Sequence, residues 1–173
     1  MRARVIAVIG AGELSAGADL ASLAREVGRL LARRGCALLC GGLGGVMEAA
    51  SQGAREEGGP VIGVLPGIDP AEANPHVGIA IATGMAEARN AVIANTAEAF
   101  VAVGGGYGTL AEIAFALKRG KRVVSLHSWR EGLPVLVAQD PEEAVRLALG
   151  GEVAWAGNRP ETGGPDSAPR DPR

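Results

Sequence analysis

The sequence predicts an α/β fold, Rossmann-like and doubly wound, with a mostly parallel sheet covered by helices on both faces. Three observations predict it. Short apolar runs of strand length alternate with longer runs of helical periodicity, as successive βαβ units require. Only 3% of the 173 residues are aromatic while 47% are hydrophobic, so the core must be built from Ala, Val, Ile and Leu, the usual filling of a sheet buried on both sides. Finally, two glycine clusters, Gly41-Gly42-Leu43-Gly44-Gly45 and Gly104-Gly105-Gly106-Tyr107-Gly108-Thr109, each stand between a strand-like run and a helix-like run.

Taken in order, Arg4 to Ile9 reads as a strand, and Asp19 to Arg34 as a helix with Leu20, Leu23, Val27, Leu30 and Leu31 on one face before Gly35. Ala37 to Cys40 is a second strand, Val46 to Glu57 a second helix closed by Gly58, and Val61 to Leu65 a third strand stopped by Pro66. The connection from Pro66 to Pro75, rich in Pro and Gly, is expected to carry the chain across to the other half of the sheet before a short strand at Val77 to Ala82. Met85 to Asn95 reads as helix, Ala99 to Val103 as strand, Leu110 to Arg119 as helix and Arg122 to Leu126 as strand. Pro134 to Val137 is expected at the sheet edge, and Pro141 to Leu149 is a last helix with Pro in its first turn. Residues 1–157 form one expected domain. The stretch 158–173 holds four of the ten prolines and almost no apolar residue, and is expected to be a disordered tail.

Composition excludes several functions. The net charge is −2, and no basic run exceeds Lys118-Arg119-Gly120-Lys121-Arg122, too small an electrostatic footprint for nucleic acid. No apolar run approaches the roughly 18 residues of a membrane span, and the first residues feed a strand rather than a signal core, so a cytoplasmic protein is expected. Cys36 and Cys40 stand four apart with His76 and His127 isolated, which matches no zinc or redox spacing and reads as buried thiols, so no metal site is expected.

The glycine clusters are the expected ligand loops. Glycine lets backbone N–H groups turn toward an anion, and a following helix N-terminus adds its dipole and unpaired donors. Gly41, Gly42, Gly44 and Gly45, and then Gly105, Gly106, Tyr107, Gly108 and Thr109, are therefore candidate phosphate-binding residues. Gly10-Ala11-Gly12-Glu13-Leu14-Ser15 has Ser15 where a dinucleotide fingerprint has its third glycine, and the ribose-binding acid after the second strand is missing, which disfavours NAD. Gly10 and Gly12 either shape the floor of a site or make a plain strand-to-helix turn. Thr109-Leu110-Ala111-Glu112 has the spacing of a capping box, with Thr109 capping and Glu112 reaching back. In that position the helix dipole would hold Glu112 ionised, suited to stabilising positive charge rather than donating a proton. The run Ala111 to Leu117, apolar nearly all round, is either a central helix or an interface.

The segments Gly41 to Met47 (GGLGGVM), Ile62 to Pro66 (IGVLP) and Gly105 to Glu112 (GGYGTLAE) resemble the Lonely Guy and molybdenum-cofactor carrier superfamily, over residues 4–149. The resemblance implies a Rossmann-like fold and a dimer or larger assembly. In the Lonely Guy enzymes the motif PGGxGTxxE supplies phosphate-binding glycines and a catalytic glutamate, an upstream arginine completes the site, and the reaction releases the base of a nucleoside 5'-monophosphate. Carried over, Gly105, Gly106, Gly108 and Thr109 would hold phosphate, Glu112 would face the ribose and Arg89 would be the arginine. Gly104 replaces the motif's proline, Ala111 the first of a common glutamate pair, and Asn90 the lysine after the arginine. The words around Arg89 and Gly105 look closer to the small carrier-like subgroup, which implies binding of a phosphorylated small molecule, a nucleotide or a molybdopterin-type cofactor, with no other cofactor required. The alternatives are a phosphoribohydrolase that cleaves the N-glycosidic bond, or a nucleotide-sensing or assembly module with a vestigial site. The lysine decarboxylase label given to such proteins has no pyridoxal-lysine context here.

Overall fold

The computed structural model describes residues 3–14 and 19–151. The expected domain boundary after residue 157 and the tail 158–173 lie outside the described residues. Seven strands, β1 (Val5–Gly10), β2 (Ala37–Cys40), β3 (Val61–Leu65), β4 (Ile79–Ala82), β5 (Ala99–Val103), β6 (Arg122–Leu126) and β7 (Leu136–Ala138), make one sheet in the order β4-β3-β2-β1-β5-β6-β7. Every pairing in it is parallel. The five helices are α1 (Leu20–Arg33), α2 (Val46–Glu56), α3 (Asn90–Thr96), α4 (Tyr107–Lys118) and α5 (Pro141–Ala148).

Two apolar layers follow from the strands' period of two. Ile6 and Val8 of β1 point into a core shared with α1, α2 and α5, while Ala7 and Ile9 point into a second core shared with α3 and α4. The face of α1 carried by Val27, Leu30 and Leu31 is buried, as its spacing predicts, and Asp19 caps the helix by accepting from the Ser22 N–H. Both cysteines are buried and free.

The structure moves the reversal of winding. The Pro66 to Pro75 connection carries the chain only from β3 to its neighbour β4, through a 3-10 turn at Pro70–Glu72. The crossing to β5, on the far side of β1, comes after β4. Proline and glycine content marks a loop without saying where it leads. That crossing is also not one helix: a 3-10 turn, Ala86–Arg89, runs into the short α3. The reversal lies between β1 and β5, whose carboxyl ends diverge into separate loops. A doubly wound sheet opens a ligand crevice at such a point.

The helix after the second glycine cluster starts at Tyr107 rather than Leu110, with Gly106 as its cap and no side-chain cap hydrogen bond. No capping box forms. The apolar run Ala111 to Leu117 divides between the two expected roles: Ile113 and Ala116 are buried in the core, and Ala111, Ala114 and Phe115 face outward.

Candidate functional site

A cavity of about 410 Å³ opens over the carboxyl ends of β1 and β5. Gly10, Ala11 and Gly12 form its floor, Gly106, Gly108, Thr109 and Glu112 one wall, and Ala86, Glu87, Arg89 and Asn90 the opposite wall. Leu43, Met47 and Pro66 supply apolar contact.

Three residues of the second glycine cluster, Gly106, Gly108 and Thr109, form part of the cavity wall. The cluster's carbonyls are tied back: Ser128 Oγ donates to Gly104 O, and Trp129 Nε1 donates to Gly106 O at 3.1 Å. The first N–H groups of α4, on Tyr107, Gly108 and Thr109, meet no acceptor among the described residues, as at any helix start without a cap. A Cβ at Gly106 or Gly108 would meet nothing within 4 Å, so this end of α4 is open. Thr109 is buried against Gly105, and Tyr107 is 83% exposed and outside the cavity, its ring tilted against Trp129.

The first glycine cluster is placed differently. None of Gly41, Gly42, Gly44 and Gly45 lines the cavity. The Val46 N–H at the start of α2 donates to Ala11 O at 2.9 Å, and the Gly42 N–H to Cys40 Sγ at 3.3 Å. Gly45, at φ 67° and ψ −132°, passes so close to Ala11 and Gly12 that no side chain fits. Asn74, a buried residue that no motif singles out, fastens this cluster: its N–H donates to Gly42 O and its Nδ2 to Leu43 O.

Arg89 and Glu112 meet across the cavity, both 91% buried by their 9% exposure. Arg89 Nη1 lies 3.9 Å from Glu112 Oε1, an ion-pair distance too long for a hydrogen bond. Arg89 Nε and Nη1 are fully buried with no partner. The guanidinium lies over Gly41, where any Cβ would collide with it, so glycine at 41 is what admits the arginine. Ala86 holds a left-handed φ of 47° at the start of the same turn, and its N–H donates to Pro66 O.

Burial pushes the Glu112 carboxyl up to about 7, against the opposing pull of Arg89. This overturns the expectation of a dipole-held carboxylate. Because α4 begins at Tyr107, Glu112 falls in its second turn and faces the interior rather than the helix end. Burial likewise pushes the Cys40 thiol up, so a neutral sulfur leaves the Arg89 charge uncompensated from that side. Near neutral pH the cavity therefore holds a buried cation and a carboxyl that gains or loses its proton readily.

The SLOG cluster4 family model matches residues 3–150 of this chain. The chain belongs to that family. A protein of Archaeoglobus fulgidus is 45% identical over 155 residues, 88% of this chain and 99% of that protein. The structure of the Moco (molybdenum cofactor) carrier protein of Chlamydomonas reinhardtii superposes with a TM-score of 0.76 at 40% identity, covering 86% of this chain and 96% of that one. More distantly, the cytokinin riboside 5'-monophosphate phosphoribohydrolase LOG of Oryza sativa is 40% identical over 92 residues, 51% of this chain and 38% of the rice protein. Among the described residues of this SLOG protein, no helix is long and apolar enough to cross a membrane, and no group of three or more His, Cys, Asp or Glu could hold a metal ion.

Proposed function

We propose that this cavity binds a phosphorylated small molecule, a nucleoside monophosphate or a molybdopterin-type compound, and acts as a carrier-type site. One observation carries the reading: Arg89 is a buried cation beside the cavity with two unpartnered nitrogens. A buried charge without hydrogen bonds is costly unless an anion completes it. Gly108 and Thr109 line the same space with N–H groups that have no acceptor among the described residues, at a helix start whose dipole phosphate favours. The likeness to the Chlamydomonas carrier protein over nearly its whole length supports a binding role, and the molybdopterin option rests on it.

A second reading rests on Glu112. A buried carboxyl poised near 7 beside the cavity suits proton transfer or stabilisation of a sugar cation during N-glycosidic cleavage, the chemistry named for the rice relative. The outward face of α4, with Ala111, Ala114 and Phe115, supports a homo-oligomer in either case.

Mass spectrometry of small molecules released from the purified protein tests the first reading, and incubation with AMP followed by assay of free adenine tests the second. A copurifying phosphorylated compound that is lost in Arg89→Ala, with no base released, supports the carrier. Turnover abolished in Glu112→Gln supports the hydrolase. Retention of the same compound by Arg89→Ala at full occupancy would overturn the site.

A further inference from the structure

Besides Ala86, one other non-glycine residue has a left-handed backbone among the described residues: His127, at φ 53°, immediately after β6. Such a conformation costs about 1 kcal/mol or more and persists where surrounding contacts enforce it, often beside binding sites. Ala86 lines the cavity already described. His127 lines another, of about 260 Å³, beyond the carboxyl ends of β6 and β7 on the opposite side of the Gly104–Gly108 loop.

The lining of this second crevice is polar and carries positive charge. Arg130, Ser125, Ser128 and Gln139 join His127 around it, and no carboxylate lines it. Ser125 is 1% exposed and sits opposite Val137 in the β6–β7 register, so a hydroxyl is set into the floor. Arg130 makes no ion pair with any described residue. Of the nearby carboxylates, Glu143 accepts from the Gln139 N–H and pairs with Arg146, while Glu131 lines an adjoining cleft that His127, Ser128 and Arg130 also line. The Ser128 hydroxyl is committed to Gly104 O, leaving the guanidinium, the Ser125 hydroxyl, the Gln139 amide and the imidazole as donors.

The geometry points to a second oxyanion subsite in this crevice, one that takes a phosphate group on Arg130, with Ser125, His127 and Gln139 around it. The volume is ample for a tetrahedral phosphate, and the place, past the ends of parallel strands, is where this class of sheet presents ligands. The subsite is independent of the Arg89 cavity. Its wall touches the same glycine loop through Ser128, so a ligand with two separated phosphate-type groups would straddle that loop.

Titration with inorganic phosphate, followed by backbone amide NMR, separates the two sites. Saturable shifts are expected at residues 125–130 and 137–139, with their own dissociation constant. Arg130→Ala should weaken that set by about tenfold, the usual scale of one lost charge-assisted contact, and leave the set at 106–112 within about twofold. His127→Gly keeps the left-handed turn without strain and removes only the imidazole, so a smaller weakening is expected there. No saturable shift at 125–130 and 137–139 below about 10 mM phosphate, on the scale of weak anion binding, or a set that Arg130→Ala leaves unchanged, would overturn the subsite. Shifts at 106–112 alone would leave the Arg89 reading standing while this one falls.

Discussion

The two glycine clusters look alike in sequence and sit differently against the cavity. At Gly41 to Gly45 the Gly42 N–H donates to Cys40 Sγ, Asn74 donates to the carbonyls of Gly42 and Leu43, and the glycines let chain segments pass where no Cβ fits. At Gly104 to Thr109 the carbonyls of Gly104 and Gly106 accept from Ser128 and Trp129, and Gly106, Gly108 and Thr109 line the cavity. The two junctions differ at the helix that follows: the first N–H of α2 is taken by Ala11 O, while the first N–H groups of α4 have no partner among the described residues. The first cluster still serves the site, because Gly41 gives Arg89 its place.

The sharpest way to break this contrast is a methyl group in the first cluster. Gly45→Ala combines a backbone region that only glycine adopts freely with a collision against Ala11 and Gly12, and should destabilise by at least about 3 kcal/mol, read by chemical denaturation. A stable Gly45→Ala protein would show that the first cluster is not a packing device.

Next in size is the effect of Glu112 on stability. Its folded pKa, near 7, lies above that of an exposed carboxyl, so the folded state holds an extra proton between about pH 4.5 and 7. Stability from this group is complete below the unfolded pKa and lost as pH rises through 7, on the order of 3 kcal/mol in all. Denaturation of wild type and Glu112→Gln at pH 5 and pH 8 should show the wild type losing ground to the variant at the higher pH. Parallel pH profiles would mean that Glu112 is ionised throughout.

Arg89→Ala should leave the fold cooperative and weaken a phosphorylated ligand by about ten- to a hundredfold in calorimetric titration, the scale of a charge-assisted pair. Gly108→Ala should have the smallest effect on folding. Its methyl enters open space at the start of α4, where alanine gains up to about 1 kcal/mol of helix propensity, so melting stays level or rises while affinity falls severalfold. Loss of stability with unchanged affinity would reverse the roles assigned to the two loops.

Much of this architecture was legible in the residues. The period of Val27, Leu30 and Leu31 located α1, the apolar runs located the strands, and both glycine clusters fell at strand ends. The capping-box spacing misled because Gly106 can start a helix without a side-chain cap, which moves Glu112 from the helix end to a buried turn. The fastening of the first cluster was hidden because its partners, Ala11 and Asn74, lie far away in sequence and carry no motif. Arg89 was reached through family likeness alone, and only the fold reveals that its nitrogens lack partners.

A crystal structure of the protein soaked with a nucleoside 5'-monophosphate would show whether Arg89 and the start of α4 hold a phosphate group. The phosphate is expected within hydrogen-bond reach of the Gly108 and Thr109 amides and of the Arg89 guanidinium. A phosphate bound instead at Gly42 to Gly45, or a cavity beside Arg89 left without ligand at saturating concentration, would contradict that placement.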